Sequence, residues 1–319
     1  MIYGCQKEEE FVFLFLQPNN YMKRPVVSII IATHNSEKVI KFPFESIKNQ
    51  TCPKSYYEVI IGDNESSDNT VEIAKRYGVK VVKVLGKPPQ ICNQQNAAAR
   101  KARGEYIFTL DHDIELSKNF IRNFVKRVKG KKKDVDAWFM SYKIIASSPL
   151  LTKVRNFEES YYKNSVVAAV RIVKRSIYWK TEKQHDPAIV CGPADWDFDL
   201  QLMEIGAKTG WFDDYVYHHE ENLSFFKFVT KKIIYSESGE VYKKKWMDKN
   251  MKIYETIVRK QYDPFYRLFG IFVENGKWKK LINNIHLYML FLLVKVATAI
   301  VYFSFLQNLR IKDILQRIK

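Results

Sequence analysis

The 319-residue chain sets 52 Lys and Arg against 35 Asp and Glu, a formal net charge of +17, while 46% of its residues are hydrophobic. That apolar content fills a sizeable core and argues against disorder, and the charge predicts a strongly positive face suited to anionic head groups, phosphorylated substrates or nucleic acid. Cys5, Cys52, Cys92 and Cys191 form no CxxC or Cys/His pair, which argues against a zinc knuckle or disulfide framework and fits a reducing compartment.

The N-terminal stretch, 1–24, holds one short apolar run, Phe11 to Leu16, preceded by three glutamates rather than basic residues; this is not the pattern of a secretion signal. From Val26 the chain alternates. Val26 to Ile31 is a continuous β-rich run that reads as a strand buried on both faces. A helix is predicted from Glu37 to about Lys48, and a second strand from Tyr57 to Gly62. Ser67-Asp68-Asn69-Thr70 offers capping residues for a helix that runs to Tyr77 and closes at Gly78. Val79 to Leu85 is a third strand, 89–103 a helix ending at Gly104, and Tyr106 to Leu110 a fourth strand running into Asp111-His112-Asp113. Ser117 is placed to cap a basic helix that stops at Gly130.

Strand–helix alternation with short connections predicts a mostly parallel α/β sheet with helices on both faces. Ligands of such sheets bind beyond the carboxyl ends of the strands. Thr33-His34-Asn35, Asp63-Asn64 and Asp111-His112-Asp113 all fall at those ends. Beyond 135 the alternation weakens. Trp138 to Ile145 can be another strand; 150–180 is mixed and rich in Tyr, Lys and Arg. Asp195 to Ile205 reads as a helix ending at Gly206, Val216-Tyr217-His218-His219 follows a strand-like piece, and 223–262 reads as basic helices broken by Pro264. These features divide the chain into an extension at 1–24, an α/β domain at 25–222 (halves 25–130 and 131–222), and a basic helical region at 223–319.

Two carboxylates flanking one residue directly after a buried strand suit a hard divalent cation, Mg2+ or Mn2+. Such a cation bridges a diphosphate and neutralises charge as it leaves. The plainer reading of Asp111-His112-Asp113 is a solvated turn, and the two neighbouring polar clusters tip the balance to the cation.

At this point a resemblance becomes specific. VSIIIATHN, YEVIIGDNESSDNT and the run from Asn96 through ARGEYIFTLDHD together resemble family 2 glycosyltransferases of the GT-A fold over residues 26 to about 220. The resemblance implies an inverting transferase using a UDP- or GDP-sugar. It implies donor contacts from Ala32, Thr33, Asp63, Gln95 and Asp111, with Thr33 and Asp63 at the base and Asp111 near the ribose and metal. Asp113 would bind the metal beneath the diphosphate. Ala194 to Leu202 (ADWDFDLQL) resembles the family's E-D-x-D-L-x-x-R-L helix start, which makes Asp195 the general base; a helix N-cap is its plainer role. His218 falls where many members carry a metal-completing histidine after Val-Tyr; it can equally be a paired histidine, and His219 could take its place. The sequence departs from the pattern at Ala194 (usually Glu), Gln201 (usually Arg) and Gln95 (often Arg), which puts acceptor and diphosphate contacts in doubt.

Ile285 to Leu306 is 22 residues, apolar nearly all round, long enough to cross a hydrocarbon core of ~30 Å. Lys295 costs about 3 kcal/mol at its centre, and the thirteen Leu, Ile, Phe and Val residues return roughly 6. Basic residues precede it (Lys277, Lys279, Lys280) and follow it (Arg310, Lys312, Arg317, Lys319), so a span leaves one cluster on the wrong side. A helix lying on an anionic membrane surface avoids that conflict, and a helix buried against the catalytic domain is the alternative. The expected protein is therefore an enzyme at the cytoplasmic face of a membrane, peripheral or C-terminally anchored, acting on a lipid-linked or glycan acceptor. A polyprenyl-phosphate sugar synthase is a near rival. A basic nucleic-acid-binding protein is a rival of another class, set aside because no recognisable module is present; an inactive scaffold is a third.

Overall fold

The computed structural model describes residues 24–86, 88–130, 134–189, 192–221 and 238–318. The apolar run at 11–16, Cys5, Cys191 and the start of the basic region at 223–237 lie outside the described residues. In chain order the main elements are β1 (Val27–Thr33), α1 (Lys41–Lys48), β2 (Tyr57–Asp63), α2 (Thr70–Arg76), β3 (Lys80–Lys83), α3 (Ile91–Arg100), β4 (Tyr106–Leu110) and β5 (Ile114–Leu116). They continue with α4 (Phe120–Lys129), β6 (Ala137–Ala146), α5 (Pro149–Glu159), β7 (Val170–Lys174), α6 (Arg175–Tyr178), α7 (Ala194–Glu204) and β8 (Thr209–Glu220). Helices α8 (238–247) and α9 (Lys252–Tyr262), short turns at 266–282, and α10 (Ile285–Ile318) close the chain.

The strands form one eight-stranded sheet in the order β3-β2-β1-β4-β7-β6-β8-β5. Every residue of β1 is buried, because the strand is central and helices cover both faces. Phe120, Ile121, Phe124, Val125 and Val128 recur at helical spacing on α4 and pack, with α1 and α2, against one face. Ala98 and Ala99 of α3, Tyr178 of α6, and Phe198 and Leu202 of α7 cover the other. Small residues let α3 come close: a Cβ at Gly62 would lie 2.1 Å from the carbonyl oxygen of Gln94.

The parallel block is β3-β2-β1-β4. Beyond β4 the sheet is mixed, with β7 antiparallel to both β4 and β6, β6 parallel to β8, and β5 antiparallel to β8. β5 has three residues, too short to print a period, and its partner lies far along the sequence; no local pattern announces it. Helix α1 begins at Lys41 rather than Glu37, after a single turn in which the Val39 and Ile40 amides donate to the Ser36 carbonyl. Ser117 does not cap α4 through its side chain; its hydroxyl donates to Asp214 at 2.8 Å.

The two sides of α10 differ. Tyr288 and Phe291 are buried with Val154 and Phe157 of α5 and with Tyr266 and Phe272. Ile285, Met289, Leu293, Val296, Ile300 and Phe303 are 52–65% exposed, and their spacing of three and four places them on one stripe. Among the described residues no helix is long and apolar enough to cross a membrane.

Candidate functional site

Parallel pairing sets Thr33 level with Asp63 at the carboxyl ends of β1 and β2. The Thr33 hydroxyl donates to Asp63 Oδ1 at 2.8 Å, the Ser66 hydroxyl to the same oxygen at 2.6 Å, and the Ser66 amide to Oδ2 at 3.0 Å. Asn35, in the left-handed region at φ 49°, accepts the Ser67 amide through Oδ1 at 2.8 Å. Asp68 accepts from the Thr70 amide and hydroxyl and from the Glu37 amide. The two loops are thus laced together and hold Asp63 in one orientation. Ala32 in β1 and Gln95 on α3 are buried.

Asp111 and Asp113 stand on the turn from β4 to β5. Antiparallel pairing with β8 sets Ile114 opposite His218, and the His219 amide donates to the Asp113 carbonyl at 3.0 Å. His218 Nε2 lies 3.4 Å from Asp113 Oδ2, and its Nδ1 lies 3.8 Å from Glu220. Burial works against its protonation, but Asp113, and less so Glu220 and Asp111, outweigh it and hold the imidazole above its ordinary range. His219 is spent elsewhere: it stacks on Phe42 with centroids 3.7 Å apart and sits between Glu115 and Glu221. Of the two histidines, His218 is the one turned toward Asp113.

Among the described residues no three His, Cys, Asp or Glu side chains form a ready-made metal site. Asp113 and His218 nevertheless suit a shared ion. Two ligands at right angles on bonds of about 2.1 Å stand about 3 Å apart, and Mg2+-like ions bind through one or two carboxylates plus substrate phosphates rather than a protein cage.

Asp195 lies in the first turn of α7. The N-cap is Pro193 and no side chain caps the helix, so the plainer capping role for Asp195 is not the one it takes. It meets Arg171 of β7 instead: Arg171 Nη2 is 2.8 Å from Asp195 Oδ2 and Nη1 is 3.3 Å from Oδ1, while Nη2 is also 3.6 Å from Asp111 Oδ2. One guanidinium therefore joins the Asp111–Asp113 turn to the helix start. Burial raises the Asp195 carboxyl above the usual carboxylate range; Arg171 opposes this, and Asp111 adds to it. Arg171 is the residue that sequence reasoning missed, because an arginine inside a VRIVK strand looks like many others in a basic chain.

The next acids on α7 point elsewhere. Asp197, fully buried, accepts from Lys245 and Trp246 of α8 and from Gln201. Gln201 also donates to the Gln184 carbonyl and accepts the Lys183 amide. Ala194 is packed in the apolar cluster with Cys92, Ile189 and Trp246. Two of the three departures from the expected pattern thus have structural partners, Ala194 in packing and Gln201 in hydrogen bonds.

Asp111, Arg171, Asp195 and His218 share a cavity of about 230 Å³ that Tyr142 and Trp211 help to line. A larger groove of about 780 Å³ opens at the other end of the sheet, beside Tyr57 and Lys80 at the starts of β2 and β3, with Glu58 as its one acidic side chain.

The sequence profile described as Glycosyl transferase family 2 matches residues 28–186. The chain belongs to that family. A poly(ribitol-phosphate) beta-glucosyltransferase of Bacillus spizizenii is 31% identical over 117 residues, which are 34% of this chain and 18% of that protein. A dolichyl N-acetyl-alpha-D-glucosaminyl phosphate 3-beta-D-2,3-diacetamido-2,3-dideoxy-beta-D-glucuronosyltransferase of Methanococcus voltae is 26% identical over 66% of this chain and 71% of its own length. The match thus spans less than a fifth of the first of these relatives. The crystal structure of the mannosyltransferase PcManGT from Pyrobaculum calidifontis, in complex with GDP-Man and Mn2+, superposes with a TM-score of 0.55 at 15% identity, covering 94% of this chain and 89% of that one. The glycosyltransferase GT-A fold is the fold of this family 2 chain.

Proposed function

We propose that the protein is an inverting glycosyltransferase that moves a sugar from a UDP- or GDP-sugar to a hydroxyl of a lipid-linked or membrane-proximal glycan. The observation that carries this reading is Arg171 joining Asp195 to Asp111 in one cavity at the carboxyl ends of the strands. Thr33 and Asp63 hold the base, Asp111 lies by the ribose, and Ala32 and Gln95 support the donor from beneath. Asp113 and His218, with Asp111 beside them, hold Mg2+ or Mn2+, which when bound supplies charge neutralisation for the leaving diphosphate. Asp195 takes the proton of the acceptor hydroxyl as that oxygen attacks the anomeric carbon from the face opposite the diphosphate, and the configuration inverts. A carboxyl raised by burial is better matched to that task near neutral pH than an ordinary one. Support for the ligand classes comes from relatives named for poly(ribitol-phosphate) and for dolichyl N-acetyl-alpha-D-glucosaminyl phosphate, and from a fold neighbour crystallised with GDP-Man and Mn2+.

The exposed stripe of α10, in a chain of net charge +17, supports a peripheral position on an anionic, cytoplasmic membrane surface. The buried thiols of Cys52 and Cys92 agree with a reducing compartment.

The test is a donor screen. Purified protein is incubated with each common nucleotide sugar and Mn2+, and released nucleotide is measured. One UDP- or GDP-sugar should be turned over, and Asp113→Ala should lose both turnover and metal-dependent nucleotide binding with the fold intact. Full activity of that variant in EDTA would remove the metal from the mechanism.

A further inference from the structure

Lys295 stands out as a cation within an apolar helix. Its ammonium donates to Glu158 Oε1 at 2.8 Å. Glu158 is buried on α5 and its other oxygen accepts from Arg155 Nη1 at 2.8 Å. Arg155 turns its Nε and Nη2 to the two oxygens of Glu220, at 3.1 and 2.9 Å, a paired fork. Glu220 lies 3.8 Å from His218 Nδ1, and His218 Nε2 lies 3.4 Å from Asp113. One unbroken series of charged contacts runs from the C-terminal helix to the loop after β4.

We infer that Lys295 is a positioning residue for the Asp113–His218 site, acting through Glu158, Arg155 and Glu220. The physical reason is competition for Arg155. With Lys295 in place, Glu158 has two cations, and Arg155 can give its fork to Glu220. Without Lys295, the buried Glu158 carboxylate keeps only Arg155 and the Tyr162 hydroxyl, which donates at 2.7 Å. An under-compensated buried carboxylate is costly, so the guanidinium shifts toward it and the fork on Glu220 loosens. Glu220 sits at the end of β8, the strand that holds β5 and the Asp113 turn. Helix α10 thus presents its apolar stripe outward and, on the inner face, the cation that sets the metal loop. Partners that hold metal ligands in place commonly change metal affinity by about 10- to 100-fold when removed.

The inference rests on the metal reading above, and the experiment separates the two. Mn2+ binding to the full chain is followed by electron paramagnetic resonance, with amide hydrogen exchange measured on the same proteins. Lys295→Met should weaken Mn2+ binding about tenfold or more, Lys295→Arg should restore most of it, and Leu293→Ser, on the outward stripe of the same helix, should match the wild type. Equal Mn2+ affinity in Lys295→Met and the wild type would overturn the inference, including where the variant's Tm falls, since Lys295 would then be only a tether. If the wild type binds no Mn2+ with UDP or GDP present, the metal reading fails and the exchange data decide. Faster exchange at His218–Glu220 in Lys295→Met, with β1 unchanged, sustains the coupling; identical exchange at those amides overturns it.

Discussion

Asp195 and Asp197 sit two residues apart on one helix and predict opposite phenotypes. Asp195→Asn keeps the shape and loses the basicity, so kcat should fall by roughly 10² or more with donor affinity little changed. An equal loss in donor hydrolysis and in transfer would mean a structural role, and unchanged transfer would favour an acceptor that is already an anion, such as a polyprenyl phosphate. Asp197→Asn should instead lower stability by about 3 kcal/mol, the usual scale for breaking a buried ion pair, because Lys245 loses its counter-charge and the new amide nitrogen faces the donors Lys245 and Gln201; activity per folded molecule should hold. Chemical denaturation alongside turnover distinguishes the two. Arg171 carries a pH prediction. As the proposed base, Asp195 must be ionised to act, burial and Asp111 raise its pKa, and Arg171 lowers it. Arg171→Met should therefore move the acid limb of the kcat profile to higher pH by about one unit or more, and an unmoved limb would place Arg171 outside the charge balance of Asp195. The D-x-D-x-D run at the start of α7 offers three acids, and residue types alone cannot say which one faces the cavity. The likeness to the family pattern singled out Asp195; the partners of Asp197 come from α8, some fifty residues later, where no sequence rule could pair them.

Strands β1 to β4 were legible as elements because each is a run of β-branched and apolar residues bounded by turn signals. Their parallel order follows from the helices between them. The second half resisted the same reading. β6 and β8 are long strands with polar and aromatic residues mixed along both faces, and what pairs them is tertiary. At the element scale the tightest constraint is the contact of α3 with β2. Gly62→Ala would drive a methyl into the Gln94 backbone carbonyl at 2.1 Å, where no side-chain rotation gives relief. We expect a loss of about 3 kcal/mol or more, read as a lower denaturation midpoint, or no soluble protein; a midpoint within measurement error of the wild type would mean that α3 can slide. The residues of this contact are plain in the sequence, but their closeness is not, since a glycine at a strand end also reads as an ordinary turn residue.

For the whole molecule, the C-terminal helix divides its faces between packing and solvent. Sequence hydrophobicity sees a uniformly apolar segment, whereas burial of Tyr288 and Phe291 and exposure of Leu293, Val296 and Ile300 separate packing from surface. Removing everything from Ile285 onward would uncover the Tyr266–Phe272 cluster and take a cation from Glu158, so such a truncation should aggregate. Serine at Leu293, Val296 and Ile300 together is the cleaner probe. The triple variant should keep the wild-type fold and release nucleotide normally, yet float free of anionic vesicles that retain the wild type. High salt should release part of the wild type as well, because each Lys or Arg near the surface contributes about 1 kcal/mol that is screened within a Debye length. Retention of the triple variant would show that the stripe is not what meets lipid.

The pairing of Ile114–Leu116 with Val216–His218 also fixes an order in time. These contacts join positions roughly one hundred residues apart, whereas β1 pairs with β2 about thirty residues on and β2 with β3 about twenty on, and distant pairings form late because their loop entropy must be met first. A growing or refolding chain should therefore assemble the proposed base site at Thr33 and Asp63 before the Asp113 turn is anchored. In pulse-labelled refolding, amides of Ile30 and Ile60 should become protected ahead of His219, whose partner is the Asp113 carbonyl. On the proposed reading, a half-made molecule would then grip a donor before the metal that activates it has a place to bind, so that no sugar is squandered on water in the interval.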